Sequence, residues 1–269
     1  MMKLDEFSED VLRTGLEVVE AASSKGVVLR ILGALAVYLH CRDHGNTWEA
    51  LLRMGRVDEK TLFTDLDLIG YSKQRKQILE LMRELGFEEN RMINALFGHK
   101  RLIFGRGKVK VDIFFDKLEF SHDVEFGKAP GKGRLELDYP TISITDLVLE
   151  KLQIHEINRK DIVDLIAIFL AHPVSDNSEK ESVDGGYIAR LLANDWGFWY
   201  DATNNLRKVL SFAEKFGEEG ALTSEQVSLV KERVETLGKM IDEAPKSKAW
   251  IKRSKKGTSK PWYREVGEL

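Results

Sequence analysis

Two aspartates two residues apart, Asp65 and Asp67 in TLFTDLDLIGY, carry the clearest chemistry in this sequence. Side chains along a strand alternate between faces, so residues two apart leave the same one. A carboxylate pair at that spacing is a hard-oxygen donor set of the kind that holds magnesium on a nucleotide phosphate. A third acid follows in KVKVDIFFD. On that strand Lys110, Asp112, Phe114 and Asp116 share one face, while Val111, Ile113 and Phe115 share the other. The second set is apolar and reads as the core side, so Asp112 is expected to point away from it. If the two strands are neighbours, Asp65, Asp67 and Asp112 converge. Two of them would ligate the ion, and the third would help bind a second ion or take the proton from an attacking hydroxyl.

The elements that must position these acids are legible from periodicity. Apolar residues at helical spacing run from Ser8 to Ser23, and Gly26 ends that helix. VVLRIL reads as a buried strand. Gly33 then opens a second helix, ALAVYLHCRDH, at a strand-to-helix turn. The start of a helix presents unpaired N–H groups and partial positive charge, which favour a triphosphate, and glycine lets phosphate approach the backbone closely. NTWEALLRMGRVDEK has no clear place in this pattern and reads as an insertion. DLDLIGY is a strand and KQRKQILELMRELG an amphipathic helix stopped by Gly86. KRLIFGR, GKVKVDIFF, LEFSHDVEF and RLELDY read as strands. Beyond Pro140 strand signal nearly vanishes and helices are expected, the first two capped by Thr145 and Asn158. The expected fold class is therefore α+β, a mixed core followed by an all-helical part. The division is 1–140, 141–245 and a basic tail at 246–269.

GALAVYLH, TDLDL and VDIFFD, in that order, resemble the core signature of the polymerase-β-like nucleotidyltransferase superfamily. That signature is a glycine-led turn, a D-x-D strand and a later third aspartate. DLVLEKLQIHEI and NRKDIVDLIAIF further resemble motifs of the AbiEii-type nucleotidyltransferase toxins of abortive-infection systems. The resemblance implies a nucleotidyltransferase core in which Asp65, Asp67 and Asp112 hold Mg²⁺ or Mn²⁺. It implies Lys151 as a contact to nucleotide phosphate, with Asp161 or Asp164 completing the catalytic set. A compact ammonium suits phosphate as a point charge, and acids three apart share one helical face. The substrate would be a nucleoside triphosphate, the acceptor a tRNA 3′ end, another RNA, a protein hydroxyl or a small molecule. A cognate antitoxin is implied as a partner. Two features depart from the family: Ala34 follows Gly33 where Ser, Thr or a second Gly is usual, and Asn46–Lys60 lengthens the spacing to Asp65. Without the hydroxyl, backbone donors alone would meet phosphate, so a catalytically inactive nucleotide- or nucleic-acid-binding relative is the alternative.

Composition sets further bounds. With 43% hydrophobic and 32% charged residues the chain is expected to fold and not to be disordered. No apolar stretch approaches a membrane span, and the acidic start MMKLDEFSED is no secretory signal. A single cysteine, Cys41, forbids an internal disulfide and fits a reducing cytoplasm. Net charge is −3, yet Lys246, Lys248, Lys252, Arg253, Lys255, Lys256, Lys260 and Arg264 follow one another with no acid between them. That tail reads either as a solvated terminus or as a counter-charge for an RNA backbone, with Trp250, Trp262 and Tyr263 available to stack on bases. Trp196, Phe198, Trp199 and Tyr200 read as packing residues that could also line an acceptor cleft. His40, His44, His99, His122, His155 and His172 show no metal-ligand spacing; His40 and His44 are i,i+4, but their neighbours offer no third ligand.

Overall fold

A computed structural model of the chain describes residues 4–45, 47–55, 62–177 and 179–265. In chain order the helices are α1 (Glu6–Ser24), α2 (Gly33–Cys41), α3 (Thr47–Arg53), α4 (Arg75–Glu84), α5 (Arg91–Phe97), α6 (Ile144–Leu152), α7 (Arg159–Ala171), α8 (Gly185–Leu192), α9 (Trp196–Glu218), α10 (Ser224–Glu243) and α11 (Lys248–Ser254). The main sheet has β1 (Leu29–Ile31), β2 (Leu66–Gly70), β3 (Glu88–Glu89), β4 (Arg101–Arg106) and β5 (Val109–Phe115). The chain forms two compact units. The first comprises Met1–Leu39, Val57–Leu118 and Glu125–Ser143; the second comprises His40–Arg56, Glu119–Val124 and Ile144–Leu269. The class is α+β, as the change of period from helical to alternating and back predicts.

The first unit is organised on the sheet, in the order β1-β2-β5-β4-β3. Only β2 and β5 run parallel; the other pairs are antiparallel. Leu66 stands opposite Val111 and Leu68 opposite Ile113, all four without exposed surface. These residues form the core face. Helix α1 packs on it closely enough that a Cβ on Gly15 would lie 3.0 Å from Leu66 Cδ1. The alternation of β5 thus sorts as the sequence indicates, with one difference. Asp112 leaves the opposite face but is only 2% exposed, because Arg101 and Lys110 close over it.

Two strand expectations change. RLELDY is not a strand: Leu135–Leu137 is a 3₁₀ turn, because the Leu135 N–H donates to the Tyr71 hydroxyl and not to a neighbouring strand (3.1 Å). The chain meets the sheet slightly later, where Ile31 N–H donates to Pro140 O and Ile142 N–H to Ile31 O. LEFSHDVEF divides into two three-residue strands, Lys117–Glu119 and Asp123–Glu125. Of the proposed insertion, Asn46 and 56–60 lie outside the described residues, and Thr47–Arg53 is helical.

From Ile144 on, the described residues of the second unit are helical apart from a short parallel pair, Val174–Ser175 with Val183–Asp184, which the sequence did not signal. Helix α7 is apolar almost all round and is buried from Ile162 to Leu170, as a central helix must be. It contacts α3, α6, α9 and α10. Asn158 caps it, its side chain accepting from Asp161 N–H (3.0 Å). Thr145, in contrast, is not a cap: it lies inside α6, and its hydroxyl accepts from Asp184 N–H (2.9 Å). Among the described residues no helix is long and apolar enough to cross a membrane.

The tail is folded rather than loose. Ser247 caps α11, Trp250 meets Trp199 edge-on at 5.0 Å, and Arg253 lies 4.8 Å over Trp196. Trp262 donates its indole N–H to the buried Asp201 carboxylate, which His122 and His155 also contact at 2.7 and 2.9 Å. These bonds hold Asp201 ionised, below the usual carboxylate range, even though burial pushes it the other way. Trp196 and Phe198 are buried and Tyr200 stacks on Trp196, so this aromatic run serves packing within the unit.

Ile113 sits on the central strand with no exposed surface. Its replacement by alanine should lower unfolding free energy by about 2–5 kcal/mol in a denaturant titration, the range for a buried Ile-to-Ala cavity.

Candidate active site

The parallel pairing of β2 with β5 decides the site. Its register sets Asp67 directly opposite Asp112, on the face away from α1. Asp65 lies one residue before β2 begins, in a bend, where Thr64 donates its hydroxyl to one carboxylate oxygen at 2.8 Å. Asp65, Asp67 and Asp112 each offer an oxygen within 4.8 Å of the others. The first two are half-buried and Asp112 is buried.

Like charges directly opposite across a ladder repel, so this cluster requires positive charge nearby. Part of it comes from the protein. Arg101, on β4, reaches Asp112 Oδ2 at 2.5 Å, and Lys110 Nζ lies 3.5 Å from the same oxygen. The Arg101 guanidinium also lies 5.2 Å over the Phe114 ring, which fixes its direction. The other oxygen, Asp112 Oδ1, is buried and has no hydrogen-bond partner among the described residues. A buried carboxylate oxygen left without a donor is costly, and a divalent cation among three carboxylates would satisfy it. The donor set, all carboxylate oxygen, suits magnesium or manganese.

Gly33 closes the other side. Leu32 N–H donates to the Asp67 carbonyl (3.1 Å), tying the turn to β2. Gly33 has φ +69°, and a Cβ there would stand 2.9 Å from Asp67 Oδ2. Glycine is therefore required on two counts: the left-handed backbone, and contact between the turn and the carboxylate. The sequence showed a glycine before a helix; its contact with the acid was visible only in three dimensions. Ala34 follows within the first turn of α2, so the donors that this turn can offer are backbone N–H groups.

Lys151, Asp161 and Asp164 form a second cluster, within the helical unit. Lys151 Nζ lies 2.7 Å from Asp161, 3.3 Å from Asp164 and 3.7 Å from Glu150. Burial alone would strip its charge, but the three carboxylates outweigh burial and raise its pKa above that of a free lysine. Asn205 steadies the end of α6 by donating to Leu152 O (3.0 Å) and Ile154 O (2.7 Å). The expected residues thus assemble as two groups, three acids in the sheet unit and a lysine with its acids in the helical unit. Arg101 belongs to the first group and was not anticipated. Its signal was present in the sequence as a basic residue at the start of the strand preceding β5, but the strand register was needed to read it.

Gly33→Ala should cost about 1–2 kcal/mol from the left-handed backbone alone. It should also push the Asp67 carboxylate aside. Divalent-ion affinity, measured calorimetrically, is expected to fall in this variant, while a Gly26→Ala control, with open space around its Cβ, should retain it.

No protein-family model matches the sequence, and no curated protein matches it. Three solved chains are similar to it, two of them as follows. One is described as ANT(2")-Ia in complex with adenylyl-2"-tobramycin, at 15% identity and a TM-score of 0.30, covering 52% of this chain and 74% of that one. The other is an antigenic nucleotidyltransferase-like protein from Paracoccidioides brasiliensis, at 13% identity and a TM-score of 0.39, covering 93% of this chain and 99% of that one. Scores this low fix neither fold nor activity.

Proposed function

We propose that this chain is a metal-dependent nucleotidyltransferase, moving a nucleoside monophosphate from a nucleoside triphosphate to an acceptor hydroxyl. The observation that carries the reading is the placement of Asp67 opposite Asp112, with Asp65 within 4.8 Å and the Gly33 turn in contact with Asp67. Three acids would by themselves repel a triphosphate. A Mg²⁺ or Mn²⁺ ion held by them, when bound, offsets charge on both the acids and the phosphates and polarises the phosphorus.

The protein's own part is positioning and charge. Gly33 and Ala34 open α2, whose first N–H groups and partial positive charge favour phosphate oxygens. Arg101 restrains Asp112 through Oδ2, and Oδ1 is buried with no hydrogen-bond partner among the described residues. In the reaction the acceptor oxygen forms a bond to the α-phosphorus as the bond to pyrophosphate breaks. The acceptor proton passes to a carboxylate of the cluster or to water, and pyrophosphate departs. The resemblance also gives Lys151 a phosphate contact beside Asp161 and Asp164. Within its own unit Lys151 already neutralises those two acids, so substitution there tests stability and catalysis together.

The acceptor favoured by this reading is a tRNA 3′ end or another RNA. Lys248, Lys252, Lys255, Lys256 and Lys260 are exposed on the folded tail and supply backbone-binding charge. Trp262 and Tyr263 are engaged within the protein, Trp262 with Asp201 and Tyr263 stacked on His155. A role as the toxin of a toxin–antitoxin or abortive-infection pair, with an antitoxin protein as partner, rests on the motif resemblance. Ala34 supports the second reading, a relative that binds nucleotide without turning it over.

The test is incubation with Mg²⁺, each labelled nucleoside triphosphate and bulk tRNA. Wild-type protein should transfer label, and Asp67→Asn should lower the rate at least about a hundredfold. Nucleotide binding without transfer to any acceptor selects the binding module; the absence of any nucleotide-induced rise in melting temperature rejects both readings. Lys151→Met should lose about 3–5 kcal/mol of stability, since it leaves the buried Asp164 without its cation and the partly exposed Asp161 without its closest one. Unchanged stability in that variant would free Lys151 for a purely functional role.

A further inference from the structure

His40, near the end of α2, and His44, in the turn after it, lack a third ligand in their own stretch of sequence, but the helical unit brings two candidates beside His40. His172 ends α7 with no exposed surface, and Glu181 lies at the end of the connection that leads from α7 towards the Val183–Asp184 strand. His40, His172 and Glu181 each present one donor atom, and the three donors lie within 4.8 Å of one another. His40 Nδ1 and His172 Nδ1 are each 3.5 Å from Glu181 Oε2. In a tetrahedral zinc site with bonds of about 2.0 Å, neighbouring donors stand about 3.3 Å apart. Two edges of such a site are therefore close to formed.

The hydrogen bonding of His172 points the same way. Its Nε2 lies 3.2 Å from the His40 carbonyl oxygen, and its Nδ1 lies 3.1 Å from the Glu181 carbonyl oxygen. A neutral imidazole has one N–H, so it can donate to only one of these acceptors. With the proton on Nε2, the ring donates to the His40 carbonyl, as metal-bound histidines commonly do through their second nitrogen. The Nδ1 lone pair is then aimed at a carbonyl oxygen and a carboxylate, all acceptors. A cation between them converts that repulsion into bonding. Glu181 also adopts φ +58°, a left-handed backbone that is unfavourable for a residue other than glycine, and it turns both its carbonyl and its carboxylate toward His172.

We propose that His40, His172 and Glu181 form a site for a divalent transition metal, zinc by its donor set, that fastens the segment after α7 to the end of α2. Two imidazole nitrogens and one carboxylate oxygen suit zinc better than the all-oxygen triad of the sheet unit, which suits magnesium. The fourth position falls to water or to His44, whose ring centroid lies 4.5 Å from that of His172.

The test uses the full-length chain, stripped with a chelator and titrated with Co²⁺, which reports tetrahedral coordination as an intense visible band. One cobalt ion per chain giving that band, displaced by Zn²⁺, is the expected result. Glu181→Gln, at a side chain 38% exposed, should fold normally and weaken binding at least about tenfold. His40→Ala should do the same, and Asp67→Asn should leave the band unaltered. The proposal is overturned if wild-type protein binds no stoichiometric cobalt. It is equally overturned if both Glu181→Gln and His40→Ala bind as wild type, or if Asp67→Asn abolishes the band.

Discussion

The first unit depends on an electrostatic conflict held in place by hydrogen bonds. The parallel ladder between β2 and β5 makes Asp67 and Asp112 direct neighbours, and Asp65 joins them from the preceding bend. Two carboxylates within 4.8 Å repel by an amount on the order of 3 kcal/mol at an effective dielectric of about 20. The apolar face beneath them, Leu66 and Leu68 against Val111 and Ile113, fixes the register and prevents the strands from slipping to relieve it. Arg101 and Lys110 compensate at one oxygen of Asp112, and the other stays buried without a donor. The core stabilises an arrangement that its polar face, without a further cation, would disfavour. Such a local conflict inside an otherwise consistent sheet is what a binding site looks like in physical terms.

The helical unit solves a related problem by the opposite means. Lys151 and Asp164 are buried, Asp161 is partly exposed beside them, and each charge meets its partner within the unit. The Asp201 carboxylate is likewise surrounded by His122, His155 and Trp262. These networks are internally satisfied and lock helices and tail together. The acidic triad differs because its three carboxylates are of one sign and one buried oxygen of Asp112 has no hydrogen-bond partner among the described residues.

The His40–His172–Glu181 group occupies a middle position between these cases. Its members contact one another, yet a neutral His172 cannot satisfy both carbonyl oxygens that face its ring. It illustrates how ligand sets form between segments distant in sequence: one histidine from the end of α2, one from the end of α7, one acid from the connection beyond it.

Much of this protein was written in its sequence. The D-x-D spacing, the alternation of KVKVDIFF and the glycine ahead of an apolar helix follow from strand and helix periods of two and 3.6 residues, which are local properties. They were sufficient to select Asp65, Asp67, Asp112 and Gly33 as a group and to divide the strands from the helices. Tertiary structure decided what depends on register and on distant contacts. It set Asp67 opposite Asp112, brought Arg101 over Asp112, and pressed Gly33 against the Asp67 carboxylate. It also made RLELDY a turn, since Tyr71 captured the Leu135 amide, and brought His172 and Glu181 beside His40. None of these has a period to reveal it, because a hydrogen bond or ion pair between remote segments leaves no pattern in either segment alone.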